Sequence, residues 1–195
     1  GDVDTLECSV EEDGFSHYFN DEDINEIRSY NIDFILRDAF GIIRGEILEV
    51  PTYGIWSFHH QNEQKYRGSP PGLWEIIEGE PVTGAILQRL TNRLDGGIVL
   101  RRGFFETKRD WSENINHVFY GTVEWPAQVA RDILRGNKEY VNGPPSSTDA
   151  PIYRNPSLYD LTKYHLNDLR SKLRQLKKGR DNWNIGIIES DIQDL

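Results

Sequence analysis

The stretch from Tyr53 to Leu100 restricts the possible folds more than any other part of the chain. It contains two strand-like runs, Tyr53–Phe58 and Ala85–Leu90, separated by a loop rich in glycine and proline and by a short helical pattern around Trp74. A strand, a connection that includes a helix and a second strand are typical of an α/β sheet. In open sheets of this class, reactive side chains lie at strand ends and in tight glycine turns.

Two side chains suited to proton chemistry lie at such places. His59 ends the first strand, and Asp95 lies in the turn before Gly96. Histidine can exchange a proton near neutral pH because its unperturbed pKa is about 6.5. Taken singly, a histidine at a strand end and an aspartate before glycine are common surface features. His60 follows His59 directly, and neighbouring strand residues point to opposite faces, so we predict no metal pair and no other metal site here.

Composition limits the ligands and the location that we expect. The chain has 195 residues and a formal net charge of -10, which makes nucleic acid an unlikely partner because phosphates are repelled. The apolar runs are shorter than the roughly 20 residues that a membrane helix needs. We find no signal-peptide pattern. The single cysteine, Cys8, excludes an internal disulfide and a zinc site built from cysteines. These features predict a cytoplasmic α/β protein without membrane contact.

The remaining segments predict further strands and helices. We expect a largely buried strand at Asn31–Arg37 and a further strand, with two arginines midway, at Gly97–Phe105. Helical patterns begin near Ser112, Pro126 and Pro156. The apolar run Asn182–Ile188 looks like a new strand. We therefore divide the chain into a domain of residues 1–180 and a tail of residues 181–195, and we interpret the tail as a candidate first strand of a following domain.

In this order, the motifs of the central stretch resemble those of the folate-dependent formyltransferases. That family has a strand ending in Asn-x-His, a basic or polar residue followed by glycine, a Thr-Gly pair and an Asp-x-Gly-x-Ile turn. The matching positions are Ser57-Phe58-His59, Arg67-Gly68, Thr83-Gly84 and Asp95-Gly96-Gly97-Ile98-Val99. The resemblance extends from about residue 30 to about residue 105.

The resemblance implies a three-layer, formyltransferase-like open sheet. Such a sheet would be mostly parallel, with helices on both faces and further helices at the C-terminus. The glycine-rich first βα unit of the family is missing from this sequence. We therefore expect residues 1–180 to form a formyltransferase-like domain that is truncated at its N-terminus relative to the family.

The resemblance also implies an activity, the transfer of a formyl group from 10-formyltetrahydrofolate to an amine. This reaction passes through a tetrahedral oxyanion, which hydrogen-bond donors stabilise. We expect the acceptor to be a small-molecule amine or an amino sugar. The predicted catalytic residues are His59, Asp95 and Ser57. The predicted folate-binding residues are Arg67, Gly68, Thr83, Gly84 and Gly97.

One departure from the family motif keeps alternatives open. Ser57 stands where the family has asparagine, so the side chain that would donate to the oxyanion is shorter. One alternative is a non-catalytic formyltransferase-like domain inside a larger protein, for example a carbohydrate-active one. Another is a hydrolase that releases formate, with water in place of the amine.

Overall fold

A four-stranded sheet built on the central stretch organises the chain, whose computed structural model describes residues 5–93 and 96–193. The strands are β1 (Val10–Asp13), β2 (Ser16–Phe19), β3 (Ile35–Arg37), β4 (Ile42–Arg44), β5 (Ile55–His59), β6 (Arg67–Gly68), β7 (Val82–Arg89), β8 (Ile98–Glu106) and β9 (Ile152–Tyr153). The helices are α1 (Asp21–Ser29), α2 (Trp74–Glu78), α3 (Trp111–Thr122), α4 (Trp125–Leu134) and α5 (Leu158–Gln193). Two 3-10 turns cover Glu46–Glu49 and Glu139–Asn142.

The four-stranded sheet has the order β3-β5-β7-β8 and mixed strand directions. β3 runs parallel to β5, whereas the β5–β7 and β7–β8 pairs are antiparallel. The expected α/β class is confirmed, but the expectation of a mostly parallel sheet is wrong for this sheet. The connection from β5 to β7 contains only the five-residue helix α2. Such a helix is about 7 Å long and cannot carry the chain back along a strand of about 17 Å.

Helices cover both faces of this sheet, as the three-layer prediction requires. Two neighbouring residues of β5 show which helices cover each face, because neighbouring residues of a strand point to opposite faces. Ile55 packs in a cluster with α1 and the turn at Glu46–Glu49. Trp56 packs in a second cluster with α3 and α4, and its ring stacks on Phe34 at a centroid distance of 3.9 Å. Both residues are fully buried.

Two smaller sheets flank the main one. β1, β2 and β4 form a three-stranded sheet, and β6 pairs in parallel with β9. The second pairing holds the Arg67–Gly68 segment against a strand from late in the chain. Gly68 has a φ of 92°, and a Cβ atom there would lie 2.1 Å from the carbonyl oxygen of Tyr153. Only glycine fits this close approach without a backbone shift.

The last helix corrects the prediction for the tail. α5 continues to Gln193, so the strand expected at Asn182–Ile188 is wrong. A short apolar run does not distinguish a strand from a helix, and extending an existing helix avoids the cost of nucleation. The division into residues 1–180 and 181–195 stays a prediction. In the part of the chain that the structure describes, no helix combines the length and the apolar character needed to cross a membrane.

A buried asparagine fixes α3 to the main sheet. The Oδ1 atom of Asn114 accepts a hydrogen bond from the Lys108 backbone amide at 2.8 Å. Its Nδ2 atom donates to the carbonyl oxygen of Gly72 at 2.8 Å and to Thr83 Oγ1 at 3.0 Å. This one side chain therefore joins the glycine-proline loop, β7 and the start of α3.

A buried carboxylate supports the loop that follows His59. Glu75 on α2 is 0% exposed, and its Oε1 atom accepts a hydrogen bond from the backbone amide of Asn62 at 3.0 Å. Its Oε2 atom has no partner among the described residues. Burial raises the pKa of Glu75 from 4.5 to about 7, because the charged form loses its hydration. The protein therefore holds a carboxyl group that is half protonated near neutral pH.

We predict that Asn114→Ala lowers the free energy of unfolding by about 3 kcal/mol, because buried partners of the amide lose their hydrogen bonds. Urea denaturation followed by tryptophan fluorescence measures the change. Asn116→Ala is the matched control, since Asn116 is exposed on the same helix. Equal effects of the two substitutions would contradict the role assigned to Asn114.

A second prediction concerns the pH dependence of stability. The pKa of Glu75 is higher in the folded state than in the unfolded state, so the folded state binds more protons between pH 4.5 and about 7. The free energy of unfolding should therefore fall across this window, by on the order of 3 kcal/mol from this group. Glu75→Gln removes the titrating group and should gain stability relative to the wild type as the pH rises from 5 to 8.

The test is urea denaturation at several pH values, with Glu22→Gln, an exposed residue of α1, as the control. A wild-type and a Glu75→Gln protein with the same pH dependence would contradict the assignment.

Candidate active site

An open cavity of about 700 Å³ lies at the ends of the strands of the main sheet. Residues of β3, β5 and β7 line one part of it, and residues of β4 and of the β6–β9 pair line the rest. A cavity of this size suits a small organic ligand. A second groove of about 640 Å³ runs between α2 and α5, but no predicted site residue lines it.

Strand register places three polar side chains in a row across the sheet. Arg37 on β3 lies beside Ser57 on β5, and Ser57 lies opposite Gln88 on β7. Residues paired in this way point to the same face of a sheet, and all three line the cavity. Arg37 Nη1 donates a hydrogen bond to Ser57 Oγ at 2.8 Å. Ser57 itself is only 2% exposed.

His59 faces the same cavity as Ser57, as their spacing on one strand predicts. The two residues are about 7 Å apart along the strand. His59 Nε2 lies 3.3 Å from the carbonyl oxygen of Tyr66, which only accepts hydrogen bonds. In a neutral ring this contact puts the hydrogen on Nε2, because a carbonyl oxygen only accepts. The site thus contains a histidine whose orientation is set by its own loop.

His60 points away from the cavity, as predicted. Its Nε2 atom lies 3.2 Å from Thr122 Oγ1, and its ring contacts Phe119 edge-on at a centroid distance of 4.2 Å. Burial and, to a smaller extent, the neighbouring His59 together lower the pKa of His60 to about 4. His60 is therefore a neutral packing residue under α3 at physiological pH.

The predicted folate-binding residues of the glycine loop divide between two roles. Gly68 lines the cavity beside β9. Arg67 does not line it; its Nη1 atom donates to the carbonyl oxygen of Ala150 at 3.2 Å, outside the cavity. The structure thus brings the backbone of this loop to the site and uses the arginine to hold the loop to the segment before β9.

Thr83 and Gly84 lie away from the cavity. Thr83 is fully buried and contacts Asn114 and Thr107 through its hydroxyl group. A Cβ atom at Gly84 would lie 2.6 Å from Asn62 Cα, so the glycine allows the loop after His60 to lie against β7. About 17 Å of strand separates Thr83 from Gln88, which does line the cavity. The structure gives both residues packing roles, and their predicted contact with folate has no support from this geometry.

The aspartate turn is described only in part. Asp95 lies outside the described residues, so its catalytic role stays a prediction. Gly97 is buried beside the cavity, and a Cβ atom there would lie 2.4 Å from Gln88 Oε1 and 2.7 Å from the Arg89 carbonyl oxygen. Gly97 therefore makes room for the Gln88 side chain, which is an indirect contribution to the site.

The cavity is positively charged although the whole chain is acidic. Four arginines line it, at positions 37, 44, 93 and 154, and no aspartate or glutamate does so among the described residues. Such a surface attracts an anionic ligand. Sequence reasoning missed these arginines and Gln88. A signal existed for Arg37 alone, because it is a charged residue at the end of a strand next to the site strand; that strand was expected to be buried, whereas Leu36 on β3 is exposed.

Comparisons with known proteins support the family resemblance. No family model matches the chain. The methionyl-tRNA formyltransferase of Thermodesulfovibrio yellowstonii is 37% identical over 166 residues, which cover 84% of this chain and 53% of that protein. The methionyl-tRNA formyltransferase of Clostridium acetobutylicum is 28% identical over 166 residues, covering 83% and 52%. The chain spans about half the length of these curated relatives.

A solved structure shares the fold. HypX from Aquifex aeolicus, in complex with tetrahydrofolic acid, superposes with a TM-score of 0.53 at 16% identity, covering 73% of this chain and 26% of that one. At this identity the likeness shows the fold alone. Together with the ordered motifs around His59, the sequence relatives support the resemblance of this chain to the folate-dependent formyltransferases.

Proposed function

We propose that this domain transfers a formyl group from 10-formyltetrahydrofolate to the amino group of a small acceptor. One observation carries the proposal. Ser57 and His59, at the positions of the family's Asn-x-His motif, point into the same cavity, and a guanidinium group lies hydrogen-bonded to Ser57. Proton-transfer and hydrogen-bond donor groups thus face one space of the size of a small ligand.

The reaction makes two demands on these side chains. The amine nitrogen bonds to the formyl carbon, and the formyl oxygen gains negative charge. The bond from that carbon to N10 then breaks, while a proton leaves the amine and another reaches N10. The products are a formamide and tetrahydrofolate. The site must therefore donate hydrogen bonds to the oxygen, each typically contributing about 3 kcal/mol, and must carry a proton.

His59 meets the second demand. Its imidazole ring, oriented by the contact of Nε2 with the carbonyl oxygen of Tyr66, can take a proton from the amine and deliver it to N10. The Ser57 hydroxyl group lies on the same face of β5 and can donate to the formyl oxygen. Asp95, at the aspartate position of the Asp-x-Gly-x-Ile motif, is the residue that we propose to assist His59.

The formyl donor fits the cavity by charge and by size. Reduced folates carry a glutamate with two carboxylates, which the cavity arginines can bind. The backbone beside Gly68 and the Gln88 amide offer hydrogen-bonding groups for a pterin ring. The family relation and the tetrahydrofolic acid complex of HypX support this choice of donor. We treat the folate as a substrate that leaves the site deformylated.

For the acceptor, we favour a small-molecule amine or an amino sugar. The net charge of -10 opposes tRNA binding, and the cavity has the volume of a small-ligand site. The names of the sequence relatives favour methionyl-tRNA as the second candidate. The cytoplasmic location expected from the sequence stays a prediction.

The proposal predicts saturable binding of 5-formyltetrahydrofolate, a stable analogue of the donor, in isothermal titration calorimetry. Because His59 and Asp95 are expected to contact the ligand or to orient groups that do, His59→Ala and Asp95→Asn should weaken binding by about 10-fold or more. His165→Ala, at an exposed position of α5, is the control.

Activity is then measured with 10-formyltetrahydrofolate and three acceptors, glucosamine, methionyl-tRNA and water alone. Formylated glucosamine supports the proposal, formylated methionyl-tRNA selects the second candidate, and formate release without an acceptor indicates a hydrolase. Binding without any reaction indicates a non-catalytic domain. A folded protein that does not bind the analogue at millimolar concentration would overturn the folate site.

A further inference from the structure

We infer that Arg37 is a catalytic residue that binds the negatively charged formyl oxygen during transfer, in the place left by the family's asparagine. The inference rests on the proposed function. It starts from the mismatch at Ser57, whose side chain is shorter than that of asparagine. Arg37 is not part of the motifs quoted above, and the register of the strands places it beside Ser57.

The register brings the guanidinium group of Arg37 to the reacting end of the cavity. β3 runs parallel to β5 with Arg37 beside Ser57, and neighbouring strands lie about 4.8 Å apart. The 2.8 Å hydrogen bond from Nη1 to Ser57 Oγ fixes the guanidinium over the serine. His59 lies two residues further along β5, on the same face. The cation and the proton carrier therefore face one space.

Arg37 is held in place before any ligand binds. Its Nε atom donates to the carbonyl oxygen of Gly41 at 3.0 Å, and its Nη2 atom donates to the carbonyl oxygen of Phe40. The turn after β3, in which Ala39 has a φ of 49°, aims both carbonyls at the guanidinium. Fixed donors of this kind stabilise a developing charge without paying for reorganisation during the reaction.

Hydrogen-bonding capacity remains on this side chain. A guanidinium group has five N–H donors, and the three hydrogen bonds to Ser57, Phe40 and Gly41 use three of them. Two N–H groups are thus left for a ligand in the cavity that Arg37 lines. Within the described residues, no carboxylate forms an ion pair with Arg37.

The hydrogen-bond partners of the Arg37 guanidinium are therefore all neutral groups. Burial lowers the pKa of its guanidinium, and the nearby Asp38 raises it. Arginine remains charged at neutral pH, because its unperturbed pKa is above 12. A half-buried cation without a carboxylate partner costs stability, and an oxyanion would supply the missing partner. A charged donor also binds an oxyanion about twice as strongly as a neutral one.

Ser57 then has a different role from that of the oxyanion donor, which its position in the motif suggests. Its hydroxyl oxygen accepts from Arg37, and among the described residues its own hydrogen reaches only the Phe58 carbonyl oxygen, at 3.4 Å. Ser57 therefore orients the guanidinium and remains a weak donor. The alternative role for Arg37 is a purely structural clamp on the turn that follows β3, and the test must separate the two.

The test compares the binding of two folates by calorimetry. One is tetrahydrofolate, and the other is a folate analogue with a 10-trifluoroacetyl group, which hydrates to a tetrahedral diol that imitates the transferring carbon. We expect Arg37→Gln to weaken the binding of the diol by about 100-fold and that of tetrahydrofolate by less than threefold. Arg37→Lys, which keeps the charge, should fall between Arg37→Gln and the wild type.

Two further variants complete the test. Arg44→Gln removes another arginine of the same cavity, one that bonds to Ser16 and not to Ser57, and should affect both folates equally. Ser57→Asn combined with Arg37→Gln restores the family's donor and should recover part of the affinity for the diol. Equal losses for both folates in Arg37→Gln, or no loss for the diol, would overturn the role of Arg37. A wild-type protein that binds neither folate would overturn the proposed function itself.

Discussion

The site depends on the register between three neighbouring strands. Because β3, β5 and β7 are aligned so that Arg37, Ser57 and Gln88 lie side by side, one face of the sheet carries a row of polar groups at the cavity. A shift of one residue would turn each of these side chains to the opposite face, where α3 and α4 pack. The buried pair Ile55 and Trp56 prevents such a shift, since each residue belongs to the core of a different face.

Glycines then allow the loops to approach this row. The β9 backbone lies close to Gly68, the loop that follows His60 packs against Gly84, and Gly97 leaves space for the Gln88 side chain. Two of the three therefore serve the site through packing and do not line the cavity. The glycines of the Thr-Gly and Asp-x-Gly motifs thus make room for neighbouring backbone and side chains.

The sequence predicted what depends on residues close together along the chain. The strand that carries Ser57 and His59, the helix at Trp74 and the opposite directions of His59 and His60 all follow from local patterns, and the structure confirms them. The antiparallel return of β7 could not be predicted, because it depends on how far a five-residue helix carries the chain. Arg37 was missed for a related reason, since its contact with Ser57 joins residues 20 positions apart through strand pairing.

The most direct test of the account is a crystal structure of this chain with bound tetrahydrofolate. We predict that N10 lies within hydrogen-bond reach of the His59 ring, directly or through one water, and that the guanidinium group of Arg37 faces the space beside N10. A ligand bound in the groove between α2 and α5, or one whose N10 points away from Ser57 and His59, would contradict the account.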